Sequence, residues 1–271
     1  MSRSTAACAP SEPISSALPT DAQFLHEEEI GGEVPRYEVP GWRDRFGVVA
    51  GITARGTEPG RGFDLGLWTD APVREVMARW RSFRHAEPSF GGVVLGNQVH
   101  GAAVAWHERV AGWVQLEGLD GHATASPGVL LSVTVADCIP VYLLDPRHRA
   151  VALLHAGWRG TAAGMLGAGV RLLSDRAGTN PADLVMHVGV GICGPCYEVG
   201  SEVMTGLGLE AIGPGPWHVD LRDQLVTQGR GLGIRSISRS DWCSAHDRPR
   251  FYSHRASKGA DGRMVAYLGL G

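Results

Sequence analysis

Residues 134–161 read TVADCIPVYLLDPRHRAVALLHAGWRGT. Two apolar runs, IPVYLLD and RAVALLH, flank turn residues around Pro146 and Arg147, which predicts an antiparallel hairpin. A turn centred between Pro146 and Arg147 sets Cys138 directly opposite His155 at the open end. Directly opposed side chains have Cβ atoms roughly 4.5–5.5 Å apart, close enough to share a metal ion. Thiolate with imidazole is a donor set that favours zinc. A catalytic zinc takes three protein ligands and keeps one position open, so a third ligand is needed. His100 in GNQVHG is the leading candidate, because it sits at a strand interruption between glycines, and His122 in LDGHATASPG is a second. His107 lies beside charged residues and is expected to face solvent, while His148 belongs to the far turn. The alternative to a metal is a buried thiol beside a satisfied histidine.

His155 also opens HAGWRGT, which reads as a strand-to-helix turn. Amides at a helix start favour an anion, and the guanidinium of Arg159 suits phosphate or carboxylate. Asp137, beside Cys138, is either a general acid/base or a turn residue.

Outward from the hairpin, FGVVAGITAR (46–55) has the β-branched content of a strand and runs into a glycine-rich loop, GTEPGRG. APVREVMARWRSFRHA has helical spacing, with Val73, Val76, Met77 and Trp80 on one side. GGVVLGNQVHGAAVAW reads as one or two strands interrupted near Gly96. The segment from Gly128 to Gly160 gives three strands, broken at 136–140 and 146–148. TAAGMLGAGVRLLSDRAG is a helix that Thr161 can cap and Gly178 can end, with Met165, Leu166, Val170 and Leu173 as its apolar face. DLVMHVGVGI is a further strand, followed by a short helix from about Val199. The last stretch, RPRFYSHRASKGADGRMVAYLGLG, reads as two short strands around a Lys-Gly loop.

In the 271 residues, 44% hydrophobic and 20% charged content suit one sizeable globular core. The 38 glycines, about twice the usual share, call for many tight turns. A net charge of −3 with no basic run argues against nucleic acid or an anionic membrane as the main partner. Five cysteines, with neither a secretory signal nor an apolar run of membrane length, point to a cytoplasmic protein with free or metal-bound thiols. Residues 1–45 form the expected lead-in: a disordered tail to about residue 20, containing an incidental Cys8, then a weakly structured stretch. Residues 46–271 form a single folded α/β unit, with no repeat and no linker.

The motifs NQVHG, TVADCIPVYLLDP, HAGWRGT, CYEVG and FYSHR…GRM stand in the order and spacing of the bacterial laccase-domain family, also called polyphenol-oxidase-like or purine nucleoside phosphorylase family. The chain resembles that family from about Gly47 to its end. The resemblance implies a four-layer α-β-β-α domain (α/β, or α+β) with mixed sheets between helical layers, of the cytotoxic-necrotizing-factor catalytic type. It implies zinc held by His100, Cys138 and His155. It also implies a purine nucleoside and phosphate as small-molecule substrates, cleaved by phosphorolysis, with adenosine deamination in some members. Editing of a misincorporated residue in a cell-wall peptide precursor is an alternative zinc-hydrolase activity, and ligand binding without turnover is another. True multicopper oxidases are not resembled, since the H-x-H pairs of their copper cluster are missing.

Arg55, Gln98 and Arg159 are the candidate substrate or phosphate contacts, with Asp137, Cys138 and Arg159 in catalysis. Three positions depart from the family pattern: the loop TARGT around Arg55, Asp64 in place of asparagine, and Arg255-Ala256 in place of a double arginine. A carboxylate at Asp64 is expected to disfavour a nearby phosphate. Finally, ICGPCYEVG (192–200) contains C-G-P-C, the spelling of a dithiol redox centre. Gly194, Pro195 and Tyr197–Gly200 match the family's own turn, so Cys193 and Cys196 are expected to complete that spelling incidentally, with an oxidisable dithiol as the alternative.

Overall fold

The computed structural model describes residues 22–57, 60 and 62–271, so Cys8 and the expected disordered tail lie outside the described residues. Two seven-stranded sheets dominate. The first runs, in spatial order, Gln23–Leu25, Ser236–Ser240, Val185–Val188, Ile139–Asp145, Ala150–Ala156, Gly121–Thr124 and Val104–His107. The second runs Glu28–Ile30, Arg36–Glu38, Val48–Thr53, Met264–Leu270, Val129–Val135, Gly92–Asn97 and Gly112–Glu117. Both mix parallel and antiparallel pairs.

The central hairpin is apolar on both sides because it is covered on both sides. Successive side chains point to opposite faces of a strand. Tyr142, Leu144, Val151 and Leu153 therefore pack against Leu131, Val133, Ala266 and Leu268 of the second sheet. Their neighbours Val141, Leu143, Ala152 and Leu154 pack against Met165, Leu166, Val170 and Leu173 of the helix Met165–Ala177 and against Leu225 and Val226 of the helix Leu221–Gly231. On the far side of the second sheet, Val93, Leu95, Leu130 and Val265 meet Val76, Trp80 and Phe83 of the helix Val73–Ala86. The result is four layers, α-β-β-α. The Tyr142 hydroxyl ties the two sheets by donating to the Gly51 carbonyl at 2.8 Å. A Cβ at Gly51 would lie 2.4 Å from the Tyr37 carbonyl oxygen and 2.6 Å from the Tyr267 hydroxyl, so only glycine fits there.

Four expectations change. The hairpin pairs Pro140, not Cys138, with His155. Asp145 pairs with Ala150, leaving a four-residue loop. The Asp145 carboxylate accepts the amides of Arg147 and His148 at 2.9 and 3.0 Å, and Arg149 takes a left-handed φ of 50°. The turn centre thus moves by one residue, and the ladder by two. Thr161 does not cap the long helix: it lies inside a five-residue helix, Trp158–Ala162, and the chain restarts at Gly164, whose φ is 80°. So short a helix also gives little dipole for the anion site expected at HAGWRGT. The C-terminal stretch holds one strand, Met264–Leu270, preceded by the short helix His254–Ser257. Residues 22–45 are not a loose lead-in, because three strands and the start of a helix occupy them, with Tyr37, Val39 and Trp42 buried.

Three times the chain leaves the second sheet and enters the first: at 98–103, at 118–120 and at 136–138. The strands it leaves run parallel to one another, so all three crossings lie at one end of the sandwich. The strand Ala150–Ala156 is antiparallel to its neighbours and ends there too.

Candidate metal centre and active-site cavity

Each crossing delivers one polar side chain. His100 comes from the first, Asp120 from the second and Cys138 from the third, and His155 completes the group at the end of its strand. Donor atoms of His100, Cys138 and His155 lie within 4.8 Å of one another. The rings of His100 and His155 meet edge to face, 4.9 Å between centroids. The two-residue shift of the ladder therefore keeps Cys138 near His155, because the chain bends towards it at Asp137, which has a φ of 88°. Gly157 explains the local sequence: a Cβ there would lie 3.0 Å from the Cys138 sulfur and 3.2 Å from the His100 ring.

Asp120 organises the group, and no sequence motif announced it. One carboxylate oxygen accepts His155 Nδ1 and the His100 amide, both at 2.9 Å. The other accepts the amides of Val99 and Gly101 at 3.1 and 2.8 Å. These bonds hold His100 in its left-handed conformation, φ 60°. They also set His155 Nδ1 as the donor, which leaves Nε2 for the Cys138 side, the carboxylate–histidine arrangement typical of metal ligands.

Burial alone would raise the Cys138 thiol, but the charge of His155 and hydrogen bonds from His100 and His155 outweigh it and lower it to about 6. Burial would lower His155, yet the Cys138 charge and the bonds to Asp120 and Cys138 raise it to about 9. Burial likewise works against the Asp120 carboxylate, which bonds from His155 and the Gly101 amide hold below its ordinary range. Without a metal the pair is thus thiolate and imidazolium, with the sulfur already in its ligating form. The competing histidines are elsewhere. His107 and His122 contact each other at 3.0 Å, and His148 contacts Asp145 at 2.8 Å. His107 is partly buried rather than solvent-facing.

The group lies in the wall of a cavity of about 530 Å³, a size suited to a small molecule. Gln98, Asp137, Trp158, Arg159, Tyr197, Arg255 and Arg263 also line it. Three guanidinium groups there are held by uncharged partners: Arg159 over the Trp158 ring, Arg255 by the Glu198 carbonyl and the Tyr197 ring, and Arg263 by the carbonyls of Asp261 and Gly262. The Gln98 amide is occupied by Thr134, donating to its carbonyl and accepting from its amide and hydroxyl. Asp137 accepts the Ser244 hydroxyl on one oxygen at 2.7 Å and the Arg255 amide on the other at 2.6 Å. Arg55 is not among the lining residues; it pairs with Asp261 at 2.6 Å and stacks on Tyr252. Asp64 is fully buried, and one of its carboxylate oxygens accepts the amides of Gly66 and Arg263 at 2.8 Å each. It shapes the loops of the wall and does not line the cavity.

The cysteines of C-G-P-C are not incidental to their surroundings. Cys193 and Cys196 both contact the ring of His246, and with Cys243 they form a second candidate metal-binding group. The signal available in the sequence was the matching C-x-x-H spacing of Cys243 and His246.

The chain is similar to known proteins over most of its length. The family model described as multi-copper polyphenol oxidoreductase laccase matches residues 50–271. The purine nucleoside phosphorylase YlmD of Geobacillus stearothermophilus is 32% identical over 252 residues, covering 82% of this chain and 90% of that protein. Its crystal structure superimposes with a TM-score of 0.78 at 28% identity, covering 90% of this chain and 98% of the other. A purine nucleoside phosphorylase of Deinococcus radiodurans is 37% identical over 234 residues, 83% of this chain and 88% of that protein. The adenosine deaminase RL5, from an unknown prokaryotic organism, is 30% identical over 233 residues, 77% of this chain and 88% of the relative. The match to the family model takes in every residue of the cavity trio and both cysteine segments, and the protein belongs to the multi-copper polyphenol oxidoreductase laccase family.

Proposed function

We propose that this chain is a cytoplasmic, zinc-dependent purine nucleoside phosphorylase whose site also deaminates adenosine. The observation that carries the reading is the trio His100, Cys138 and His155 sharing one cavity with three arginines held by uncharged groups. The donor set suits zinc: one thiolate, two imidazoles and a carboxylate behind His155. His100, Cys138 and His155 would hold that ion, which when bound supplies a Lewis acid for a substrate or water oxygen. Free thiols at Cys138, Cys193 and Cys243 suit a reducing compartment.

Phosphorolysis forms a bond between a phosphate oxygen and the sugar C1′ and breaks the bond from C1′ to the purine nitrogen. The electron pair leaves with the base, which takes up a proton. Arg159 and Arg255 are assigned to phosphate, since a guanidinium presents donors in a fork that matches its oxygens. Asp137 is assigned to positioning, because its two oxygens hold Ser244 and the Arg255 amide. The Tyr197 phenol, pushed up to about 12 by burial and the Cys138 charge, keeps its proton and serves as a hydrogen-bond donor to the leaving purine. Trp158 offers a ring for stacking the base. Deamination, the activity named for RL5, would use the same pocket, with water adding to the purine and ammonia leaving.

The test is product analysis on zinc-loaded protein with adenosine, with and without phosphate. Adenine and ribose 1-phosphate are expected with phosphate, and inosine without it. Cys138→Ala should lower both by on the order of 10³-fold, since Lewis-acid stabilisation is worth several kcal/mol. Metal-replete protein that converts neither adenosine, inosine nor methylthioadenosine would sink the reading, and release of an amino acid from a cell-wall peptide precursor would replace it.

A further inference from the structure

Cys193, Cys196, Cys243 and His246 gather outside the cavity from two distant segments. The spacing is C-x-x-C in the first and C-x-x-H in the second, the pattern of structural zinc knuckles. We propose that these four residues form a second, closed zinc site that clamps the segment after the strand Val185–Val188 to the segment after Ser236–Ser240.

The distances fit four ligands around one ion. Zn–S and Zn–N bonds of about 2.3 and 2.0–2.1 Å in a tetrahedron imply S···N edges of ~3.6 Å and S···S edges of ~3.8 Å. His246 Nδ1 lies 3.5 Å from the Cys193 sulfur and Nε2 lies 3.1 Å from the Cys196 sulfur; one of these nitrogens would serve as ligand, and one donor atom from each of the four residues lies within 4.8 Å of the others. The backbone is already arranged for thiolates. Cys243 sulfur accepts the Cys193 amide at 3.3 Å and further amides from Ala245 and His246. The turn Gly194–Cys196 brings Cys196 back beside Cys193. Burial is graded: Cys193 and Cys243 are buried, Cys196 is partly exposed and His246 is exposed. Three thiolates and one imidazole leave no position for substrate, so the ion's role is structural.

The clamp bears on the cavity through Ser244. That residue follows Cys243, donates its amide to the Gly191 carbonyl at 3.0 Å and gives its hydroxyl to Asp137 at 2.7 Å. Asp137 in turn holds the Arg255 amide. Tying Cys243 to Cys193 therefore steadies the bend that carries Cys138. The three thiol protons go to the buffer when the ion binds, and no oxidant is needed.

The experiment is zinc counting by native mass spectrometry on the full chain purified in the presence of zinc. Two ions per wild-type chain are expected. Cys138→Ala should keep one, bound by three sulfurs and one nitrogen in X-ray absorption, and His246→Ala should lose or weaken that same ion while keeping the cavity ion. His246 is exposed, so its replacement spares the core. A single wild-type ion that disappears in Cys138→Ala would overturn the proposal. So would a disulfide among Cys193, Cys196 and Cys243, found by alkylation of the wild-type protein without reductant. Both decisive results come from proteins whose folding the His246 change does not affect.

Discussion

The two cysteine–histidine groups of this molecule are built on opposite principles. The cavity trio draws its residues from three separate places, two of them sheet crossings, and aims them with a buried carboxylate. The second group takes its four residues as two short pairs on neighbouring loops, oriented by backbone amides. The first keeps one side towards a cavity; the second closes on itself. An open site has to be held by the whole sandwich, because its ligands cannot hold one another in place. A closed site can be local, because four ligands and the ion fix the geometry between them.

The largest expected effect that separates the two concerns Asp120. Asp120→Asn keeps the shape but replaces a charged acceptor for His155 Nδ1 and for three amides. Loss of such a partner typically costs 10–100-fold in metal affinity. Competition titration with a chelator should therefore show one ion released at 10–100-fold lower chelator concentration and the other unchanged. If both ions weaken together, the two groups are not independent.

Ser244→Ala probes the link between them. The bond from Ser244 to the Asp137 carboxylate is buried, and a hydrogen bond to a charged group is worth about 1.5–3 kcal/mol. Chemical denaturation should show a loss of that size. Because Asp137 also holds the Arg255 amide, KM for phosphate should rise severalfold with the zinc count unchanged. An unaltered KM would mean that Asp137 holds Arg255 without help from Ser244.

How far these sites could be read in the sequence depends on what carries each. The hairpin and the helix Val73–Ala86 are legible, because apolar runs and spacing reflect which faces are covered. The hairpin read from the sequence sets Cys138 opposite His155 in a register that is off by two residues, since the turn length depends on an Asp145 side chain capping two amides. A two-residue slip preserves which face a side chain points to, so the pairing of functions survived the error. Asp120 was invisible: an aspartate between Leu119 and Gly121 looks like any turn residue, and its role arises only where two crossings meet. The early strands are not legible, because Gln23–Leu25 and Glu28–Ile30 are mostly exposed edge strands of three residues, too short and polar to show a period. The C-G-P-C pair is legible, but its partners lie some fifty residues away and meet it only in the fold, where Gly191 pairs with Cys243 and the Cys193 amide reaches the Cys243 sulfur.

The smallest effect is a pH dependence at the open site, measured on metal-free protein. Cys138 is lowered from its ordinary value of 9.0 to about 6, so its thiolate contributes fully at high pH and that contribution is lost as pH falls through about 6. His155 is raised from 6.5 to about 9, so its imidazolium contributes fully at low pH and that contribution is lost as pH rises through about 9. The two contributions run in opposite directions across this range, so the stability carried by the pair should change little between about pH 6 and 9, and the window in which both groups are charged is read from their titration. Alkylation of Cys138 by iodoacetamide should hold a plateau above about pH 6 and drop about tenfold per unit below it, because only the thiolate reacts. In Asp120→Asn the imidazolium loses its nearest carboxylate, so the upper edge of the window should move down more than the lower edge moves up. A thiol that titrates near its ordinary value in the metal-free protein would show that the trio is assembled by the ion, and not by the sandwich that carries it.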